Sequence, residues 1–162
     1  MHTDPPHESV IEHFSVSVRF ICDRGVTHEM VRHRLASFSQ ESTRYCNYSK
    51  GKFGSQITVI RPCFWKPGEE AYQRWFLACE QAEHYYFYLL NGGAKPQEAR
   101  SVLPNSLKTE IVMTANLREW KTVFRQRTAP MAHPQMRQLM TPLLAEFKSL
   151  IPVIYDGIEG SK

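Results

Sequence analysis

Strand-like and helix-like hydrophobic patterns are mixed along this chain without the regular alternation of a parallel α/β protein. Apolar side chains recur at every second position in residues 14–20, and residues 108–114 also favour a strand. A long helix is predicted from Glu69 to the Gly92-Gly93 pair, and the clearest helical period lies between Met136 and Leu150, with Pro142 as a kink. The mixed order predicts an α+β fold with a mostly antiparallel sheet packed against helices.

Local signals in the first third predict where elements begin. Ser9 and Glu12 have the spacing of a capping box, and Thr27 is a candidate helix cap after a turn at residues 23–25. Three apolar residues at helical spacing would form one face of that helix: Val31, Leu35 and Phe38. The basic triplet of residues 32–34 would then lie within the helix.

Further signals lie in the second half of the chain. Residues 57–60 predict a short strand, and Pro96 suits the first turn of a short helix. Asn116 and Glu119 have capping-box spacing and would open another helix. Its inward residues would be Leu117, Trp120 and Phe124.

Composition limits the class of protein. The 162 residues, 42% hydrophobic and 22% charged, fit one domain spanning residues 1–162. No apolar run approaches the roughly 20 residues needed to cross a bilayer, so we expect a cytosolic protein without membrane contact. The four cysteines form no CxxC pair, which favours reduced thiols and no zinc site. A net charge of +4 suits an anionic ligand without naming it.

The segment around the basic triplet carries the strongest chemical signal. Successive helical residues rotate by about 100°, so Arg32, His33 and Arg34 would fan outward toward different ligands or subunits. If the chain is extended after Phe38, Gln40, Ser42 and Arg44 point the same way. An amide, a hydroxyl and a guanidinium suit a phosphate and a pyrimidine edge. The alternative is a solvated basic face without a ligand.

Four segments resemble those of the flavin-dependent thymidylate synthases. The run RHRLASFSQESTRY, residues 32–45, contains the RHRx7S signature of that family. The others are His7-Glu8-Ser9 with Glu12-His13, EARSVLP at residues 98–104, and TANLREW at residues 114–120 followed by Arg127. The resemblance covers about residues 6–158. Family members usually carry a few dozen residues ahead of the first segment, so the N-terminal part is expected to be shortened.

The resemblance implies reductive methylation of deoxyuridine monophosphate (dUMP) to dTMP. Methylenetetrahydrofolate would donate the carbon, and reduced flavin adenine dinucleotide (FAD), regenerated by NADPH, would donate a hydride. It also implies a homotetramer with shared active sites. From the residues themselves we expect no metal site, because His28 and His33 are five positions apart rather than four, and no nucleic-acid partner. The implied cofactor-binding residues are His7, Ser9, Arg32, His33, Arg34, Gln40, Asn116, Arg118 and Thr122. The implied substrate-binding residues are Glu29, Arg32, Gln40, Ser42, Thr43, Arg44, Arg100 and Arg127, with Arg127 also catalytic through stabilisation of the ionised pyrimidine.

Several alternatives remain open from the residues alone. Cys46 could be a covalent nucleophile rather than a small apolar filler, and Arg127 could simply complement a helix dipole. An aromatic cluster at residues 75–88 could stack on single-stranded nucleic acid, although core or subunit interface is the commoner role. Gln40, Thr122 and Met131 replace more polar or charged residues common in the family. A weakened relative that only binds nucleotide is therefore the runner-up.

Overall fold

The computed structural model describes residues 7–44, 48 and 56–159, and its fold is α+β as predicted. The strands are β1 (Ser15–Asp23), β2 (Ala36–Gln40) and β3 (Lys108–Asn116). The helices are α1 (Arg24–Met30), α2 (Glu70–Asn91), α3 (Pro96–Ala99), α4 (Leu117–Arg127), α5 (Pro134–Leu150) and α6 (Pro152–Tyr155). Short 3-10 turns occupy Glu8–His13 and Arg100–Val102. None of the helices in these ranges is both long and apolar enough to span a bilayer.

The three strands form an antiparallel sheet in the order β1-β3-β2. The amide of Leu117 donates to the carbonyl of Phe14 at 2.9 Å. The amide of Arg24 donates to the carbonyl of Leu107 at 3.1 Å. The start of β1 therefore lies beside the end of β3, which is the antiparallel arrangement. The strands predicted at residues 14–20 and 108–114 are confirmed.

Within the described residues the chain divides into two compact units. The first contains Val31–Phe38 and the described parts of Met1–Val18 and Val112–Lys162. The second contains Arg19–Met30 and the described part of Ser39–Ile111.

The core of the first unit is built by α4, α5 and α6. Trp120 is fully buried, lies stacked on Phe124 with ring centroids 5.5 Å apart, and donates its indole N–H to the carbonyl of Val16 at 3.1 Å. From α5, Met136, Met140, Leu144 and Phe147 are buried. The helical periods predicted for α4 and α5 are thus confirmed, although Leu150 is 75% exposed. This packing holds α4, whose two ends carry candidate site residues.

The core of the second unit is built on α2. Tyr48, Tyr86, Ala99 and Leu107 are buried together there. As predicted, α2 ends at Gly92, and Gly93 adopts a φ of +92° that favours glycine.

The helix predicted to contain the basic triplet ends earlier than expected. Asp23, not Thr27, caps α1, because its carboxylate accepts the amide of Val26 at 2.7 Å. The helix stops at Met30, and Leu35, expected on its apolar face, is 76% exposed. Residues 36–40 instead pair with β3 as a strand, so the helical prediction for residues 32–34 was wrong. Val31, Leu35 and Phe38 do fit a helical period, but pairing of residues 36–40 with β3 overrides that local pattern.

Other local predictions also need correction. His7, not Ser9, precedes the first 3-10 turn, and no side chain caps that turn. Residues 57–60 form only a single bridge between Val59 and Leu107. The extended path after Phe38 ends at Gln40, and the chain turns at Thr43. Asn116 does cap α4 by accepting the amide of Glu119 at 2.8 Å.

Candidate active site

A buried group in the first unit joins three side chains that are distant in the sequence. His33 lies in the connection between α1 and β2 and is 6% exposed; Glu119 lies in the first turn of α4 and is 8% exposed. The Nδ1 of His33 is 3.3 Å from Oε1 of Glu119. The Nε of Arg127, the last residue of α4, donates to Nε2 of His33 at 2.9 Å. The imidazole therefore bridges a carboxylate and a guanidinium.

This geometry defines the protonation of the imidazole. An arginine Nε always carries its hydrogen, so Nε2 of His33 must be the acceptor and carries no proton. The single ring proton then sits on Nδ1 and is donated to the Glu119 carboxylate. Burial, and next the positive charge of Arg127, lower the pKa of His33, whereas its hydrogen bond to Glu119 opposes the shift. The structure thus favours a neutral His33.

A cavity of about 470 Å³ lies beside the N-terminus of α4 in the same unit. Three of the predicted cofactor-binding residues, Asn116, Arg118 and Thr122, line it together with Glu12, Leu35 and Glu119. Arg118 and Thr122 are four residues apart and lie on one side of α4, and Asn116 borders the cavity as the residue that caps this helix. A second cavity of about 310 Å³ is lined by Arg34 and by residues of β2 and β3, and shares Asn116.

An ion-pair network borders the first cavity. Arg118 pairs with Glu8 at 3.3 Å and also with Glu12, and Lys121 pairs with Glu8. The Lys121 hydrogen bond is the main cause that lowers the pKa of Glu8, against its partial burial. Because the Arg118 side chain is 51% exposed, its pairs are screened by solvent and contribute little to stability. An anionic ligand at Arg118 would compete with two carboxylates.

The remaining predicted residues of the first unit lie near the surface. His7, Ser9, Arg32 and Arg34 are exposed. His33 is thus the one member of the basic triplet whose side chain is buried.

The second unit holds most of the predicted nucleotide-binding residues. Gln40 donates from its amide nitrogen to the hydroxyls of Thr27 at 3.0 Å and Thr109 at 3.3 Å. Arg100 donates to the hydroxyl of Thr43 at 3.2 Å. These bonds orient the Gln40 amide and the Arg100 guanidinium before any ligand is present.

Other nucleotide-site candidates of the second unit lie at a turn and on α1. The amide of Arg44 donates to the hydroxyl of Ser42 at 3.3 Å, a local turn contact, and the Arg44 side chain is exposed. Glu29 lies half-buried on α1. The predicted site residues are therefore divided between the two units. The second unit contains Glu29, Gln40, Ser42, Thr43, Arg44 and Arg100, and the first unit contains the other candidates.

Sequence reasoning missed the role of Glu119 and the pairing of His33 with Arg127. Glu119, Val123 and Arg127 occupy positions i, i+4 and i+8, so they form a stripe beside the inward face of α4. A carboxylate and a guanidinium on such a stripe need a polar partner when buried. This stripe could have predicted that Glu119 and Arg127 share a buried polar partner, but it does not identify His33 as that partner.

Two of the described cysteines, Cys22 and Cys79, are poor candidates for a nucleophile. Burial raises the pKa of Cys22 to about 12 and also raises that of Cys79, so neither thiol readily forms a thiolate. Cys63 is exposed. Cys46, the cysteine nearest the signature, and Tyr45 lie outside the described residues.

The metal and nucleic-acid alternatives can also be compared with the structure. In the described ranges no group of three or more metal-ligating side chains is close enough to hold an ion. The aromatic cluster of α2 is divided between inside and outside, because Tyr86 is fully buried while Tyr88 is 68% exposed. Trp75 donates its indole N–H to Ser106 at 2.9 Å within the second unit. The aromatic residues of α2 are therefore divided between the core and the surface of the second unit.

Comparison with known proteins decides the family. The family model described as thymidylate synthase complementing protein matches residues 2–153. The chain belongs to this family. It is 34% identical over 142 residues to the flavin-dependent thymidylate synthase of Pyrococcus furiosus, covering 86% of this chain and 57% of that protein. The protein of the same name from Geobacter sulfurreducens is 32% identical over 151 residues, covering 92% of this chain and 63% of the relative.

A third relative gives the same picture. The flavin-dependent thymidylate synthase of Pyrococcus horikoshii is 35% identical over 153 residues, covering 91% of this chain and 62% of that protein. The chain thus spans about three fifths of the length of the curated relatives it matches. The resemblance noted in the sequence is confirmed.

Proposed function

We propose that this chain is a flavin-dependent thymidylate synthase that methylates dUMP reductively to dTMP. Methylenetetrahydrofolate would supply the carbon, and FAD, reduced by NADPH, would supply a hydride when bound. The family membership supports the reaction. The observation that carries its assignment to these residues is the clustering of Asn116, Arg118 and Thr122 around one cavity on the helix that ends in Arg127.

The residues divide into two proposed binding sets. FAD would contact His7, Ser9, Arg32, Arg34, Gln40, Asn116, Arg118 and Thr122, and the resemblance alone adds His33 to this set. The nucleotide would contact Glu29, Arg32, Gln40, Ser42, Thr43, Arg44, Arg100 and Arg127. The donor chemistry supports this division, since Arg44 and Arg100 are permanent cations suited to a phosphate. Asn116 and Thr122 add neutral groups able to hydrogen-bond a ring edge.

Arg127 would perform the electrostatic part of the reaction. Methylation at C5 of uracil requires electron density on that carbon, which places developing negative charge on the pyrimidine ring. A guanidinium held against that charge lowers the barrier by about 2 to 4 kcal/mol in a site shielded from water. Burial raises the pKa values of Cys22 and Cys79, so neither of these two thiols suits a covalent route. The guanidinium of Arg127 would act as a positive charge and not as an acid.

We further propose a cytosolic homotetramer in which several chains complete each flavin site. Two members of the basic triplet, Arg32 and Arg34, are exposed while His33 is buried, so the triplet offers cations to groups outside its own chain. Light scattering measures the assembly. A monomer that binds flavin and makes dTMP would contradict it.

The test of the proposed function is direct. The purified protein is mixed with FAD, NADPH, dUMP and methylenetetrahydrofolate, and dTMP is measured by mass spectrometry. We expect dTMP only when flavin is present, together with the absorbance bands of bound flavin. Flavin or dUMP binding without dTMP would indicate a nucleotide-binding relative, and binding of unrelated single strands that weakens steeply with salt would indicate a nucleic-acid-binding module.

A further inference from the structure

We propose that His33 is a positioning residue for Arg127, oriented for that task by Glu119. The inference rests on the proposed function of Arg127, and it assigns to His33 a role other than the flavin contact that the resemblance implies. The supporting observations are the 2.9 Å bond from Arg127 Nε to His33 Nε2 and the 3.3 Å contact from His33 Nδ1 to Glu119.

The bond to His33 restrains the outer part of a flexible side chain. Arg127 is the last residue of α4, so its backbone is held by the helix while its side chain has several rotatable bonds. The guanidinium is planar, and a hydrogen bond along Nε–H fixes the direction of that plane. The two terminal amino groups take no part in this bond. Fixing Nε therefore orients the terminal groups, which would face developing charge.

Glu119 determines which ring nitrogen of His33 carries the proton. In the alternative tautomer the proton would sit on Nε2 and face the N–H of Arg127, placing two donors against each other. The Glu119 carboxylate accepts from Nδ1 and so favours the tautomer in which Nε2 is an acceptor. Glu119 and His33 are both buried, which limits replacement of either bond by water. The three side chains consequently form one chain of donors and acceptors.

The geometry can be tested in the free protein, independently of any activity. Nitrogen-15 NMR of the imidazoles, recorded at about pH 8, distinguishes protonated from unprotonated ring nitrogens. We expect His33 to carry its proton on Nδ1 and none on Nε2. In Glu119→Ala this preference should weaken, whereas Glu119→Gln, whose amide oxygen still accepts, should retain it. A wild-type His33 protonated on Nε2 would overturn the proposal.

Two amide substitutions separate positioning from flavin contact. His33→Gln can present an oxygen near the position of Nε2 and so accept from Arg127, whereas His33→Asn is too short to do so. We expect His33→Asn to slow single-turnover methylation about tenfold to a hundredfold, as for loss of a hydrogen bond to a charged group. His33→Gln should recover most of the rate, and flavin affinity should change little in both. Equal losses in both variants with weakened flavin binding would assign His33 to the flavin instead.

A double-mutant cycle gives the last discrimination. If His33 acts through Arg127, adding His33→Asn to Arg127→Ala should slow methylation by no more than about twofold. If the double variant were instead slowed by the product of the two single effects, His33 would act independently of Arg127, and the proposal would be overturned. His28→Asn, at an exposed histidine of α1, is the matched control. If wild-type protein forms no dTMP, the proposed function fails, while the tautomer measurement still decides whether His33 holds Arg127.

Discussion

Asn116 has a structural and a proposed ligand role that substitution can separate. Its Oδ1 accepts the amide of Glu119 at 2.8 Å and caps α4, while its side chain also lines the cavity. Replacing a capping asparagine by alanine typically costs about 1 kcal/mol, with a range of roughly 0.5 to 2. For a protein of this size, 1 kcal/mol corresponds to a melting shift of about 2 to 4 °C. We therefore expect Asn116→Ala to lower the free energy of unfolding by about 1 kcal/mol.

Asn116→Asp is the informative partner. It retains the capping acceptor and places negative charge at a helix N-terminus, so stability should equal or exceed that of the wild type by up to about 1 kcal/mol. It also removes the amide donor from the cavity and adds repulsion toward an anionic ligand, so flavin should bind more weakly. Urea unfolding followed by circular dichroism measures the first effect, and absorbance titration with FAD the second. Equal destabilisation of the Ala and Asp variants, or a fully stable Ala variant, would refute the capping argument.

Three further predictions concern separate groups. Below about pH 6.5 a histidine in the unfolded chain takes up a proton, whereas the buried His33, beside Arg127 and Glu119, has a lowered pKa and stays neutral to lower pH. The free energy of unfolding should therefore fall as the pH decreases from about 6.5 through the lowered pKa of His33. Urea titrations at several pH values should show a smaller dependence of the free energy of unfolding on pH in His33→Gln and an unchanged dependence in His28→Gln, the control at an exposed histidine. Arg44→Ala should weaken dUMP binding about tenfold to a hundredfold by calorimetry while flavin is retained, whereas Arg74→Ala should change neither. Changing all four cysteines to alanine should preserve dTMP formation, and loss of activity in folded Cys46→Ala alone would indicate covalent catalysis.

The elements that sequence predicted best are those with long, repeated patterns. Seven apolar positions between Met136 and Leu150 define α5, and the Asn116 signal correctly opens α4. Residues 36–38 were misassigned to a helix because their pairing partner, β3, lies some seventy residues away in the chain. Local periodicity contains no information about that partner, and the hydrogen bonds of the sheet decide the conformation.

Prediction of the candidate site is also limited by contacts between residues that are distant in the sequence. The motifs named His33 and Arg127 individually, and the cavity brings Asn116 together with Arg118. The bond between His33 and Arg127 spans 94 positions, and the contact with Glu119 spans 86. A single sequence cannot reveal such pairs, because they depend on how α4 packs after folding. The contact of Gln40 with Thr27 and Thr109 was missed for the same reason.

The central claim is that Arg127 stabilises the pyrimidine while reduced flavin donates the hydride. Single-turnover mixing of the protein carrying prereduced FAD with dUMP and methylenetetrahydrofolate tests it without the NADPH step. We expect wild type and the control Arg125→Ala, changed at an exposed arginine in the same last turn, to form dTMP at similar rates. Arg127→Ala should be slower by about a hundredfold or more, and Arg127→Lys should also be impaired because it lacks the planar fork. Arg127→Ala methylating at the wild-type rate would contradict the account.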